Sequence, residues 1–212
     1  MQITNLFNAI TRSPFLLPLT IITILLSPAV WNILGYIEYT NKTISRLFKS
    51  RLYGVYFVVI ISQIISRIRD ILVVLTAYQT RNQFPMPDEL STVVGVLGLT
   101  IGSILVLSSS HKLGIVNTYH GDHFGFYLEE KITSFPFNIL NDPMYVGSSM
   151  IMVAIGFAFK SYVGVGLGVF AFAVYQGYIK GYEEGFTDFI YKEKADRERE
   201  RKEGDFNLVK NN

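Results

Sequence analysis

The apolar residues of this chain are gathered into long runs, and the length of the last run limits what the chain can build. Residues 146–179 carry a single charged side chain, Lys160. Wound as one helix, a run of roughly 34 residues would measure about 50 Å. A bilayer core is only about 30 Å thick. Lys160 and Ser161, followed by Gly164, Gly166 and Gly168, mark the middle of the run. The reading is therefore a helical hairpin of two tightly packed segments, because small residues let helix backbones approach closely.

Three further runs precede it. Residues 14–36 contain Pro18 and Pro28, which permits a kinked or re-entrant helix. Trp31, Tyr36 and Tyr39 suit an interfacial belt at its end. Residues 52–78 form the second run, interrupted by Arg67, Arg69 and Asp70. Ionisable groups at that depth face the bundle or an interface, with Arg69 or Arg67 paired to Asp70. Such a cluster either holds helices in register or binds a phosphate headgroup. Residues 92–107, rich in Gly and other small residues, form the third run. Half of the chain is hydrophobic, and the mean hydropathy is +0.31. The fold expected is an all-α, polytopic membrane helical bundle with four or five membrane segments. Residues 1–190 are read as the membrane-embedded domain and 191–212 as a charged tail, either a solvated helix extension or a disordered segment.

Charge sets the expected topology. With a hairpin at the end, residues 41–51, residues 110–144 and the tail share one side, and they hold nearly all the lysines and arginines outside the spans. The positive-inside rule places that side in the cytosol. The apolar run after Arg12 is long enough to stay in the membrane and lacks a small-residue cleavage site, so it is not read as a cleaved signal. The absence of cysteine removes disulfides and cysteine-based sites. There is no P-loop, nucleophile elbow or HExxH, and nothing points to a nucleic-acid partner. The glycines at 95, 98 and 102 lie in an apolar run rather than at a strand-to-helix turn, so they read as helix packing and not as a dinucleotide fingerprint.

Residues 105–147 are the densest in chemistry: Asp122 and all three histidines lie there among Gly, Pro, Tyr and Phe. Polar groups beside a bilayer are costly unless paired or wet. This segment, with Glu183 and Glu184 near the end of the last run, is the candidate site. His111, His120 and His123 come without a carboxylate-rich pattern, so no metal is expected.

Taken together, several motifs resemble the phosphatidylethanolamine N-methyltransferase family, the small class III phospholipid methyltransferases. They are Lys112-Leu113-Gly114-Ile115, Thr118-Tyr119-His120-Gly121-Asp122-His123-Phe124-Gly125, Phe135-Pro136-Phe137-Asn138, Pro143-Met144-Tyr145-Val146-Gly147-Ser148 and Tyr182-Glu183-Glu184. Weaker matches occur at Trp31-Asn32, Glu38-Tyr39 and Arg69-Asp70. The resemblance spans most of residues 28–194. It implies methyl transfer from S-adenosyl-L-methionine to the amine of phosphatidylethanolamine or its mono- and dimethyl derivatives, giving phosphatidylcholine. It also implies a site in the endoplasmic reticulum membrane facing the cytosol, with a mitochondrial membrane as the other location. The family's cofactor elements fall on Thr100-Ile101-Gly102 and on Glu183-Glu184. Thr100 replaces the first glycine of the family's GxG, Asp142 replaces an Asn before Pro-Met-Tyr, and Gly185 replaces a Pro.

The chemistry requires a neutral amine, and an alkyl ammonium ionises near pH 10.4, about the lysine value. A proton acceptor is therefore needed, and Asp122, His120 and His123 are the candidates, with Tyr119 beside them. Glu183 or Glu184 suits the cofactor's ribose hydroxyls or amino group. Tyr145, read as a cofactor contact, offers like Tyr119, Tyr127 and Tyr182 an aromatic face to a methylated ammonium, with interfacial anchoring as the other reading. Arg69 and Asp70 are the substrate-binding candidates. Two other functions fit the sequence: a prenylcysteine carboxyl methyltransferase-like enzyme, and a non-catalytic lipid-binding scaffold.

Overall fold

The computed structural model describes residues 2–130 and 132–210. Among the described residues the regular structure is entirely helical. Helix α1 spans Gln2–Thr11 and α2 spans Leu16–Asn41, unbroken across Pro28. Lys42 ends α2 in the left-handed conformation, its N–H donating to the Glu38 carbonyl at 2.8 Å. The short α3, Thr43–Leu47, follows at once. Its first amides donate to the Glu38 carboxylate, from Ile44 at 2.8 Å and Ser45 at 3.0 Å, and the Ser45 hydroxyl adds a third bond at 2.5 Å. Glu38 is fully buried, so those bonds compensate a desolvated charge.

Helix α4, Arg51–Gln79, starts at Ser50, whose hydroxyl accepts from the Tyr53 amide at 3.4 Å. Helix α5, Asp88–Thr118, carries Asp88 and Glu89 in its first turn, where acidic groups complement the dipole. It runs well beyond the apolar stretch at 92–107, with a break at Gly114 (φ 69°, ψ 160°). Ser109 returns its hydroxyl to the Leu105 carbonyl at 2.6 Å, which lets the helix continue through polar sequence.

Helices α6, Pro143–Ala158, and α7, Tyr162–Tyr178, form the hairpin read from the sequence. Lys160, at φ 52°, lies in the turn between them. A Cβ on Gly168 would come 2.6 Å from a Val153 methyl, and one on Gly156 would collide with the backbone of α7. Helix α5 seats on α6 by the same device. Gly95, Gly98 and Gly102 lie on one face, with Ala158, Ala154 and the Gly147 carbonyl 2.8, 2.7 and 2.7 Å from their would-be Cβ atoms.

The core beneath consists of Ile24, Val73, Met152, Leu167, Ala171 and Tyr175. At one end of this bundle the Asn82 and Gln83 amides donate to the carbonyls of Phe159 and Lys160. At the other, α3 meets the turn after α5, where Phe124 packs on Ile44, Val55, Val58 and Val59. Among the described residues three helices are long and apolar enough to cross a membrane: Leu16–Asn41, Asp88–Phe124 and Tyr162–Glu203. The chain is a polytopic membrane protein.

Two compact units divide at Gln176 and Gly177. The second opens with a π-helical turn, Ile179–Glu183, and continues as α8, Glu184–Lys210. The mixed-sign run at 192–203 is helical, with pairs Glu193–Arg197 at 2.5 Å and Lys194–Glu198 at 3.8 Å.

Candidate active site

The turn after α5 is built around glycine. His120 takes the left-handed conformation (φ 57°) and opens a 3-10 turn, Gly121–Phe124. A Cβ on Gly121 would lie 2.7 Å from both Asn117 Oδ1 and a Val116 methyl, so this close approach requires glycine. Gly125 closes the turn at φ 87°, a conformation that L side chains rarely adopt.

That turn brings Asp122, His120 and His123 together. Asp122 Oδ1 accepts the His123 amide at 3.0 Å and lies 2.9 Å from His123 Nδ1. Asp122 therefore orients the His123 ring, with Nδ1 as donor and Nε2 as the nitrogen that would take a proton. The His120 and His123 rings stand edge to face at 4.5 Å. Helix α2 forms the bed beneath them: a Cβ on Gly35 would come 2.9 Å from His123 Cδ2 and 3.4 Å from His120 Cδ2. Tyr39, one turn along α2, meets the His123 ring edge at 6.3 Å. Lys42 Nζ donates to the His123 carbonyl at 3.4 Å. His123 is only 2% exposed, whereas His120 and Asp122 are half-buried and able to meet a substrate. The donor atoms of the three lie within 4.8 Å of one another, a spacing that would also suit a metal ion.

A second polar group lies on α4. Arg69, 5% exposed, grips Asp70 through Nε at 3.1 Å and Nη2 at 2.8 Å, and donates to the Tyr175 hydroxyl at 2.8 Å. Arg67 approaches Asp70 at 3.4 Å and is itself exposed. Both arginines read from the sequence thus pair with Asp70. The Tyr119 hydroxyl accepts from Gln63, also on α4. Aromatic rings extend the site: Tyr145 stands 5.3 Å from Tyr175 and 6.2 Å from Trp31. Tyr175, Gln63 and Gly35 had not been singled out from the sequence. Trp31, Gly35 and Tyr39 are spaced i, i+4, i+8, a stripe on one helical face that would have flagged them.

The cofactor candidates fall in two places. Glu183 ends the π-helical turn and Glu184 begins α8, the first half-buried and the second exposed. Beside them a Cβ on Gly181 or Gly185 would meet nothing within 4 Å. Adjacent carboxylates are able to accept hydrogen bonds from an amino group or a diol. Gly102 is different, because the Gly147 carbonyl and Ile151 fill the space beside it. Thr100 returns its hydroxyl to the Val96 carbonyl at 2.8 Å, and Thr100 and Ile101 are exposed.

A membrane helical bundle with an Asp–His pair and a buried arginine is the setting in which the comparisons with known proteins fall. Residues 90–194 match the family described as Phospholipid methyltransferase. Phosphatidylethanolamine N-methyltransferase A of Dictyostelium discoideum is 34% identical, over 84% of this chain and 83% of its own length. Phosphatidyl-N-methylethanolamine N-methyltransferase of Schizosaccharomyces pombe is 33% identical, over 86% of this chain and 93% of its own. Phosphatidylethanolamine N-methyltransferase of Homo sapiens is 33% identical, over 82% and 87%. No solved structure matches the chain. The chain belongs to the phospholipid methyltransferase family, whose methyl donor is S-adenosylmethionine.

Proposed function

We propose that this chain N-methylates phosphatidylethanolamine and its mono- and dimethyl derivatives toward phosphatidylcholine, at the cytosolic face of the endoplasmic reticulum membrane. The observation that carries the reading is the Asp122–His123 pair with His120 against it, a proton-accepting group at one end of a membrane bundle. Its agreement with relatives that carry those activities in their names adds support.

Bound S-adenosylmethionine supplies a sulfonium methyl already activated by its positive charge. The protein's share is deprotonation, orientation and exclusion of water. We assign proton acceptance from the substrate ammonium to His120, supported by Asp122, with His123 held by Asp122 as a second acceptor in the same cluster. Tyr119, held by Gln63 and next to His120 in the chain, is assigned a place beside the acceptor. Arg69 and exposed Arg67, both held by Asp70, are assigned to the lipid's phosphate. Tyr145 offers a ring face to the methylated ammonium. Glu183 and Glu184 are assigned the direct hold on the cofactor. Exposed Thr100 and Ile101 are assigned further cofactor contacts, and Gly102 seats α5 on α6 beneath them.

Incubating purified membranes with labelled S-adenosylmethionine tests the reading. Labelled mono-, di- and trimethylated lipid is expected. A labelled ester would instead mark a prenylcysteine carboxyl methyltransferase-like activity, and no label a non-catalytic scaffold. Tags within residues 126–134 and in the C-terminal tail should both be reached from the cytosolic side of sealed microsomes. Protection of either removes the proposed orientation.

A further inference from the structure

Gly164, Gly166 and Gly168 stand at alternate positions early in α7, and only two of them have a packing reason. A Cβ on Gly164 would lie 3.0 Å from that of Ala77, and one on Gly168 would lie 2.6 Å from a Val153 methyl. A Cβ on Gly166 would meet nothing within 4 Å. Gly166 forms the floor of a groove of about 250 Å³ between α2 and α7, walled by Leu17, Ile21, Val163, Leu167 and Phe170. Every one of these side chains is apolar.

We propose that this groove takes an acyl chain of the phospholipid substrate. The proposal rests on the reading of the chain as a phospholipid methyltransferase and adds where the lipid's tail lies. Both walls belong to helices able to span a bilayer, where the surrounding solvent is lipid tails. From Val163 to Phe170 the groove follows α7 for about 10 Å, and Tyr175 lies about 7 Å further along the same helix. Leu17, Ile21 and Val163 pack on the buried cluster that holds Leu167 and Tyr175. Tyr175 is bonded to Arg69, and its ring stands 5.3 Å from that of Tyr145. A lipid whose tail runs from the groove along α7 toward Tyr175 carries its polar end to the charged pair on α4. A notch made by one missing side chain admits a methylene chain. A helix of a second copy, about 10 Å across, does not enter it.

The test uses phosphatidylethanolamine with a diazirine near the end of one acyl chain, incorporated in vesicles with the full chain. Crosslinking to residues 163–170 is expected in the parent, with at least a fivefold loss in Gly166→Phe. That variant should also raise KM at least fivefold for long-chain lipid relative to a lipid too short to reach the groove. Its S-adenosylmethionine affinity and Tm should stay unchanged. Equal kinetics on both chain lengths, or equal loss on both, overturns the proposal. So does equal crosslinking by phosphatidylglycerol, which would mark a boundary lipid only, or crosslinking between two copies. If Gly166→Phe does not fold, Leu17→Trp fills the groove from the opposite wall and is read the same way. Methylation without crosslinking removes the groove and leaves the enzyme. Crosslinking without methylation leaves the groove and removes the enzymatic reading.

Discussion

The two ends of the bundle solve the same problem in opposite ways. Where the 80–87 loop meets the α6–α7 turn, polar groups are consumed by one another. Thr80 and Ser161 share a hydroxyl hydrogen bond at 2.6 Å, Ser91 donates to the Phe157 carbonyl at 2.7 Å, and Lys160 pairs with Asp88. At the other end the polar side chains are gathered but not all spent on closing the chain. His120 and Asp122 stay half-buried, and Arg67 reaches out from the Arg69–Asp70 pair. Satisfying polar groups near a bilayer is obligatory. Leaving some of them within reach of a ligand is what separates a site from a plug.

The comparison breaks most sharply at His120 and Asp122. His120→Ala and Asp122→Ala should each lower kcat/KM by about a hundredfold or more, the usual reach of acid–base assistance. Both proteins should stay folded by thermal melt in detergent. Variants with parental kinetics would reduce the cluster to a turn. Gly35→Ala is expected next, with roughly a tenfold or greater loss of kcat, because its Cβ enters the bed of the His123 ring. Retained kcat would show that the ring's position is immaterial.

In the second unit, Glu183→Gln and Glu184→Gln should each weaken S-adenosylmethionine binding or turnover. At least one should lose about tenfold, or about 1.4 kcal/mol. Cofactor titration with both variants equal to the parent would remove the acidic pair from the site. At the closed end, Thr80→Val and Ser161→Ala should each lower stability by about 1 kcal/mol, one hydrogen bond's worth, and leave kinetics alone. A change in KM for lipid there would mean that the two ends are not functionally separate. The smallest effect should come from a chelator: turnover in EDTA is expected to match the untreated enzyme. Loss restored by a divalent metal would turn the His120–Asp122–His123 cluster into a metal centre.

The local properties of the chain were legible without a fold. The comparison of run length with bilayer thickness indicated the α6–α7 hairpin, and small residues at 95, 98 and 102 indicated close helix seating. Both depend only on residue type and spacing. The extent of α5 was not legible, because serines that look like a loop return their hydroxyls to the helix backbone. Pairing within a few residues, such as Arg67 and Arg69 with Asp70, was legible, but partners distant in the chain were not. Asp122 and His123 are neighbours in the chain, so their pairing follows from the turn itself. Arg69 and Tyr175, by contrast, are 106 positions apart, and their bond exists only because α4 and α7 pack side by side. Gly35 looks like any helix glycine until the His123 ring lies on it, and Gly166 looks like Gly164 and Gly168 until the space beside it proves open. The sequence by itself determined where the long apolar segments lie and which residue types can carry methyl-transfer chemistry. Only the tertiary structure decided which of those groups face one another and which bare helix surface becomes a groove, because both depend on packing between segments distant in the chain.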